Sequence, residues 1–276
     1  MKIVKSSKII NAVAKLCAEA NYNLPLDVIS ALQTAAKKEK GVSKNILLEI
    51  LENAKIAKKE RIPLCQDTGT ANFFVKLGQD VKITGANISD AINAGVVKGY
   101  NENYLRKSIV SDPLIRKNTG NNTPANIYIE IVKGNKIEIA FLPKGGGSEN
   151  ASALKMLNPS ASWKGVKDFV LQVVKEKGSN ACPPLIIGVG VGGDFASVGK
   201  IAKEALLRKI GSKSKNSAKE KELLEAVNKL KIGPMGLGGK TTALAVFVNI
   251  KPCHIASLPV AVSVQCHSNR RAAVVL

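Results

Sequence analysis

Near residue 70 the hydrophobic pattern of this chain changes period, and that change limits what it can fold into. Before it, Ile9, Ile10, Val13, Ala14 and Cys17 recur at helical spacing, as do Ile46, Leu47, Ile50, Leu51 and Ala54. Cys17 on such a stripe reads as a packed core thiol, and Pro25 suits the first turn of a second helix. Residues 1–60 are therefore expected to be helical. From Asn72 onward the pattern becomes Phe73-Phe74-Val75-Lys76-Leu77, a strand. Ile127-Tyr128-Ile129-Glu130-Ile131-Val132 and Ile137-Glu138-Ile139-Ala140-Phe141-Leu142 alternate on either side of Gly134-Asn135, which predicts a β-hairpin.

Downstream, residues 143–150 read as a loop running into a helical pattern, and 162–177 as an amphipathic helix. Residues 185–191 read as a buried strand, 196–210 as a helix, 211–215 as an exposed connection and 217–230 as another helix. Strand-like runs close the sequence at 244–250, 260–264 and 272–275, and no internal repeat is visible. Helices first, then strands mixed with helices, predict an α+β fold: a helical N-terminal part followed by a mixed, largely antiparallel sheet with flanking helices. A single domain over residues 1–276 is expected.

Composition narrows the function classes. A hydrophobic content of 45% supports a folded core, and no apolar run is long enough to span a membrane. Met1-Lys2-Ile3-Val4-Lys5 is too polar for a secretory signal. Five cysteines in a core-bearing chain of this size suit reduced thiols, a cytoplasmic location and metal binding better than a disulfide scaffold. The net charge of +20 raises nucleic-acid binding as an alternative. The basic residues are dispersed, however, and residues 208–231, the densest patch, set eight basic side chains against three acidic ones. A lysine-rich surface that favours anionic substrates is the simpler reading.

Two glycine runs resemble phosphate-binding motifs. Gly188-Val189-Gly190-Val191-Gly192-Gly193 matches G-x-G-x-x-G between a strand and a helix, but no strand returns within the span a dinucleotide unit needs. Gly233-Pro234-Met235-Gly236-Leu237-Gly238-Gly239-Lys240-Thr241-Thr242 has Pro234 where a P-loop needs glycine, and a helix precedes it. With Gly145-Gly146-Gly147, these runs favour a site where backbone amides meet an anion.

Three cysteines stand in unusual contexts: Cys65 in Pro63-Leu64-Cys65-Gln66-Asp67-Thr68-Gly69, Cys182 in Cys182-Pro183-Pro184, and Cys266 in Gln265-Cys266-His267-Ser268-Asn269-Arg270-Arg271. Taken alone, these contexts leave open both a three-cysteine cluster and ordinary buried thiols. Their spacing matches neither a ferredoxin run nor a zinc ribbon. Together with Lys144-Gly145-Gly146-Gly147-Ser148-Glu149-Asn150 and His254-Ile255-Ala256-Ser257-Leu258-Pro259-Val260-Ala261-Val262, however, they resemble one family over residues 61–271. This is the iron–sulfur hydro-lyases, meaning class I fumarate hydratases and L-tartrate dehydratases, and specifically their alpha-type catalytic part.

The resemblance implies that Cys65, Cys182 and Cys266 hold a [4Fe-4S] cluster, leaving one iron free to act as a Lewis acid. It implies that Gln66, Arg106, Gly146 and His254 bind substrate and makes Asp67 a candidate catalytic acid/base. Cys253, beside His254, is not assigned to the cluster. The reaction implied is reversible hydration of fumarate to (S)-malate, with L(+)-tartrate dehydration as the alternative. Because the sequence stops soon after the third cysteine motif, a separate beta subunit is implied, in an α2β2 assembly with alpha–alpha contact. An electron carrier, the alternative without hydratase chemistry, would need a fourth protein ligand.

Overall fold

The computed structural model describes residues 1–276. In chain order it begins with β1 (Lys2–Lys5), α1 (Ser6–Tyr22), α2 (Leu26–Lys38) and α3 (Gly41–Glu60). Then come β2 (Thr70–Gly78), β3 (Val81–Thr84), α4 (Ile88–Glu102), β4 (Asn126–Val132), β5 (Ile137–Lys144) and the short α5 (Gly146–Asn150). The rest comprises β6 (Ala153–Leu157), α6 (Ser162–Lys177), β7 (Leu185–Gly193), α7 (Val198–Ala205), α8 (Ser217–Asn228), β8 (Ala243–Cys253), β9 (Leu258–Gln265) and β10 (Ala272–Val275). The fold is α+β, and antiparallel strand pairs outnumber parallel ones four to three.

The chain forms two compact units. The first comprises Met1–Leu24, Ala54–Gly146 and Arg270–Leu276; the second comprises Pro25–Asn53 and Gly147–Asn269. In the first, the sheet order is β10-β5-β2-β4, and β1 pairs with β3 beside it as a separate ribbon. The helical stripe of α1 supplies Ile9, Val13 and Cys17 to a core shared with Phe73, Phe141 and Tyr100, all fully buried. Each such aromatic or aliphatic side chain stabilises the fold by about 1.5–3 kcal/mol through lost water contact. Phe73 and Phe141 stack across adjacent strands with ring centroids 4.9 Å apart. Gly95 and Gly99 let α4 lie close on α1, since a Cβ at Gly95 would stand 2.6 Å from the Val13 Cβ.

The expected hairpin is not formed. β4 and β5 do not pair; β2 lies between them, parallel to β4 and antiparallel to β5. In β2, Ala71 to Val75 are all buried, and the strand lies between β4 and β5 with both of its edges paired. The Gly134 turn therefore steps over the end of β2, and its carbonyl accepts the Asp80 N–H at 3.0 Å.

In the second unit the sheet order is β6-β9-β7-β8. The same plan recurs. A central strand (β2 or β7) has a parallel neighbour (β4 or β8) and an antiparallel one (β5 or β9), and these two are consecutive in the chain. An outer strand, β10 or β6, pairs antiparallel with the latter. The repeat invisible in sequence is thus present in topology. The helix expected over 196–210 ends at Ala205. Beyond it the backbone tightens into i to i+3 bonds, Leu206 to Lys203, Leu207 to Glu204 and Arg208 to Ala205.

The glycines of the first phosphate-like run lie inside β7, where they admit α7. A Cβ at Gly188 would stand 2.2 Å from the Ala202 carbonyl, and one at Gly190 would stand 2.6 Å from that of Val198. In the second run, the Glu39 carboxylate takes the N–H groups of Lys240 and Thr241 at 2.8 and 2.6 Å. The anion at this loop is the chain's own side chain.

Candidate active site

In the first unit the Cys65 segment leads into β2. Leu64 is buried and donates its N–H to the Asn21 carbonyl at 2.8 Å, while Cys65 and Gln66 emerge exposed. Asp67 binds the turn that follows and the end of β5 together. Its Oδ1 accepts from the Gly69 N–H at 2.9 Å, and its Oδ2 accepts from the Gly146 N–H at 2.7 Å. Gly69 has φ +81°, and a Cβ there would lie 2.7 Å from the Lys144 backbone nitrogen, so no side chain fits. The Thr68 hydroxyl donates to the Arg106 carbonyl at 3.1 Å, which fixes the Arg106 backbone near Asp67 and leaves its guanidinium exposed.

Below this turn lies Tyr100, fully buried, its hydroxyl 3.2 and 3.0 Å from the carbonyls of Thr68 and Gly69. Burial pushes its phenol pKa well up, with Cys17 acting the same way, Arg270 opposing and Asp67 adding to the rise; Tyr100 is a donor throughout the neutral range. Cys65, Gln66, Asp67, Arg106 and Gly146 are thus gathered where β2 begins and β5 ends. Those ends are adjacent because Thr70 pairs with Lys144.

The second unit repeats the arrangement. Cys182 follows a 3-10 turn (Gly178–Ala181), with left-handed φ 52°, and leads through Pro183 and Pro184 into β7. Cys266 follows β9 directly, and the pairing of Ile186 with Gln265 brings the two segments side by side. The His267 N–H donates to the Cys182 carbonyl at 3.2 Å, and the ring Nδ1 lies 3.0 Å from the same oxygen. Pro183 offers its carbonyl to the Met235 N–H at 2.8 Å, so the second glycine run backs the Cys182 loop.

His254 lies elsewhere in that unit. It sits exposed between β8 and β9, where its Nδ1 accepts from the Ala256 N–H at 3.1 Å. The eight residues of β9 separate it from Cys266, about 25 Å at the usual rise per residue. Within the second unit, His254 and the cysteine pair stand at opposite ends of the sheet.

The five cysteines divide by environment. Cys17 is fully buried and burial drives its thiol pKa far up, so it is an inert core group. Cys253 is exposed at the end of β8, its Sγ 3.3 Å from the Ser257 carbonyl. Cys65 and Cys182 are exposed and Cys266 half-buried, none of them in a disulfide and all on irregular backbone beside inner strands. No three His, Cys, Asp or Glu side chains converge on one point as a single-ion site requires. A cubane cluster asks something else, one thiolate for each of several irons, and these three loop thiols suit it in donor chemistry. No helix is long and apolar enough to cross a membrane.

The chain matches the family described as "Fumarate hydratase (Fumerase)" over residues 10–275. It belongs to that family. Among similar proteins, "Putative L(+)-tartrate dehydratase subunit alpha" of Methanocaldococcus jannaschii is 46% identical over 275 residues, covering 96% of each chain. The L(+)-tartrate dehydratase subunit alpha of Escherichia coli K12 is 32% identical over 273 residues, covering 96% of this chain and 89% of its own. The Shigella sonnei protein of the same name shows the same identity and coverage. The chain is thus a hydro-lyase alpha subunit of the fumarate hydratase family, as its motifs implied.

Two buried cations of the first unit were not singled out from the sequence. Lys144, at the end of β5, is 1% exposed, and so is Arg270, four residues past Cys266. Lys144 closes the apolar run Ile139 to Pro143 in β5, a weak sequence signal. Arg270 had none beyond its place in the third cysteine motif.

Proposed function

We propose that this protein is the alpha subunit of a two-subunit class I hydro-lyase that interconverts fumarate and (S)-malate. Cys65, Cys182 and Cys266 hold its [4Fe-4S] cluster, and residues 1–276 act as one catalytic domain in the cytoplasm. The observation that carries this reading is the pairing of loop thiols with a polar turn. Cys65 runs straight into Asp67, whose carboxylate is tied to Gly146, while Thr68 is tied to Arg106.

When bound, the cluster supplies a Lewis-acidic iron without a protein ligand, which makes a substrate hydroxyl a better leaving group. The chain's own residues do the remainder. Arg106 presents a planar guanidinium from an anchored backbone, matched to a carboxylate by two parallel hydrogen bonds. Gln66, beside the first cysteine, orients that end of the substrate through its amide. Asp67 keeps a lone pair on each oxygen after accepting from Gly69 and Gly146, and it moves the proton at the carbon next to the leaving hydroxyl. The Gly146 N–H is engaged by Asp67, so the loop's contact with substrate comes with a rearrangement there or from a neighbouring amide.

A beta subunit completes the site with further cationic groups, in an α2β2 assembly. A dicarboxylate brings a charge of about −2 into a water-excluded space, more than Arg106 alone can balance. His254, about 25 Å along β9 from Cys266, serves substrate in the second alpha copy rather than at the cysteines of its own unit. The names of the relatives favour a second reading, L(+)-tartrate, whose dehydration differs by one hydroxyl on the neighbouring carbon.

The test is anaerobic co-purification with the beta chain, then assay with fumarate, malate and L(+)-tartrate. Turnover should require both chains and about four irons per alpha subunit. Cys65→Ser, Cys182→Ser and Cys266→Ser should each lose the iron, and Cys17→Ser and Cys253→Ser should keep it. Full iron content in any of the first three would reject the ligand set. A preference for tartrate in kcat/KM would move the substrate to the second reading.

A further inference from the structure

Arg270 is a full positive charge, 1% exposed, with no carboxylate beside it. Its one hydrogen bond runs from a terminal nitrogen to the neutral Asn21 Oδ1 at 3.0 Å, and its Nε has no acceptor. A buried unpaired ion is costly by several kcal/mol, and breaking its pairing costs more than most single contacts supply. Such a residue is stable in place only if an anion answers it. The surroundings show where. Asn21 is itself fully buried; its amide donates to the Cys17 carbonyl at 2.9 Å, and its own carbonyl takes the Leu64 N–H at 2.8 Å. Leu64 precedes Cys65. The guanidinium is therefore linked through one side chain to the backbone that sets the first cysteine. The Asp67 carboxylate is spent on Gly69 and Gly146, and does not pair with Arg270.

We propose that Arg270 is a positioning residue whose buried charge is the built-in counter-ion of the thiolate-ligated cluster at Cys65. The proposal rests on the cluster reading above. Three thiolates on an oxidised cubane leave a net charge of about −1, and one more electron makes it about −2. A fixed cation in a poorly screened setting stabilises both states, and the reduced one more. It raises the reduction potential and slows loss of iron.

Asn21→Asp tests this without emptying the site. The new carboxylate keeps the shape of asparagine and pairs with Arg270, quenching its charge. The assembled protein, purified anaerobically, is compared with wild type and with Arg270→Met. If Arg270→Met does not fold, Asn21→Asp still decides. Asn21→Asp forfeits the donation to the Cys17 carbonyl and gains an ion pair with Arg270, so the iron-free form should fold with stability close to wild type. Its iron should be lost about tenfold faster to a chelator, and its cluster should be about tenfold harder to reduce, a fall of ~59 mV for one electron. Iron retention and potential equal to wild type would overturn the proposal. So would an unchanged cluster with a raised KM for the dicarboxylate, which would assign the charge to substrate instead. Wild type that binds no iron would refute the cluster reading itself, and the proposal with it; iron-loaded wild type with an unaffected variant would refute the proposal alone.

Discussion

Asp67 ties together the turn before β2 and the end of β5. Its two oxygens hold two backbone amides from distant parts of the chain, 2.9 Å to Gly69 and 2.7 Å to Gly146. Asp67→Asn replaces one acceptor oxygen by a donor, so one of those N–H groups loses its partner, at a cost of about 1–3 kcal/mol. It also removes the proton acceptor proposed above. We expect the variant to keep its iron while kcat falls at least about a hundredfold; steady-state kinetics with parallel iron analysis checks this. A kcat within a few-fold of wild type would exclude Asp67 from proton transfer. That Cys65, Cys182 and Cys266 stand on irregular backbone was legible from sequence, because prolines, glycines and polar residues flank each thiol. The burial of Arg270 was not: an arginine is expected at the surface, and only the packing of its segment removes it from water.

At the level of elements, periodicity disclosed the strands but not their partners. β4 and β5 were read correctly as strands, and the Gly134-Asn135 turn suggested that they pair. Alternation fixes which face a residue occupies; it does not say which edge a strand meets, and β2 came to lie between the two. The helix α4 was missed because Gly95 and Gly99 dilute its helical pattern, and both are there to admit α1. Glycines in β7 have the same purpose, and this gives a prediction. Gly188→Ala should destabilise the protein by about 1–3 kcal/mol or more, because its methyl meets the Ala202 carbonyl. Gly199→Ala in α7 meets nothing within 4 Å and should be neutral or stabilising. Urea denaturation of both variants checks the pair. Equal midpoints would mean that close approach of α7 does not explain the glycine run.

On the scale of the whole molecule, the two sheets share one plan, and the cysteine-bearing segments fall at matching ends of it. Cys65 precedes β2 as Cys182 precedes β7, and Cys266 follows β9 where Gly145 and Gly146 follow β5. His254 falls at the other end, which sequence could not reveal, because the order of motifs along a chain carries no strand direction. If His254 works on the second copy, two inactive alpha variants should rescue each other. Cys65→Ser and His254→Ala chains, co-expressed with beta, should form mixed pairs in which one site is whole. About a quarter of wild-type activity is expected from random pairing, against little from either variant alone. No recovery on mixing would keep the histidine's role within one copy. The strand plan bears equally on how the protein is made. β10 and Arg270 complete the first unit, yet residues 270–276 leave the ribosome only after all of residues 147–269. The unit that starts first is finished last. Its cysteine segment is translated early and waits, with its sheet one strand short and its counter-charge still unsynthesised, until residues 147–269 have emerged. If Arg270 is the counter-ion proposed above, stable metal loading at Cys65 waits until residues 147–270 have been made.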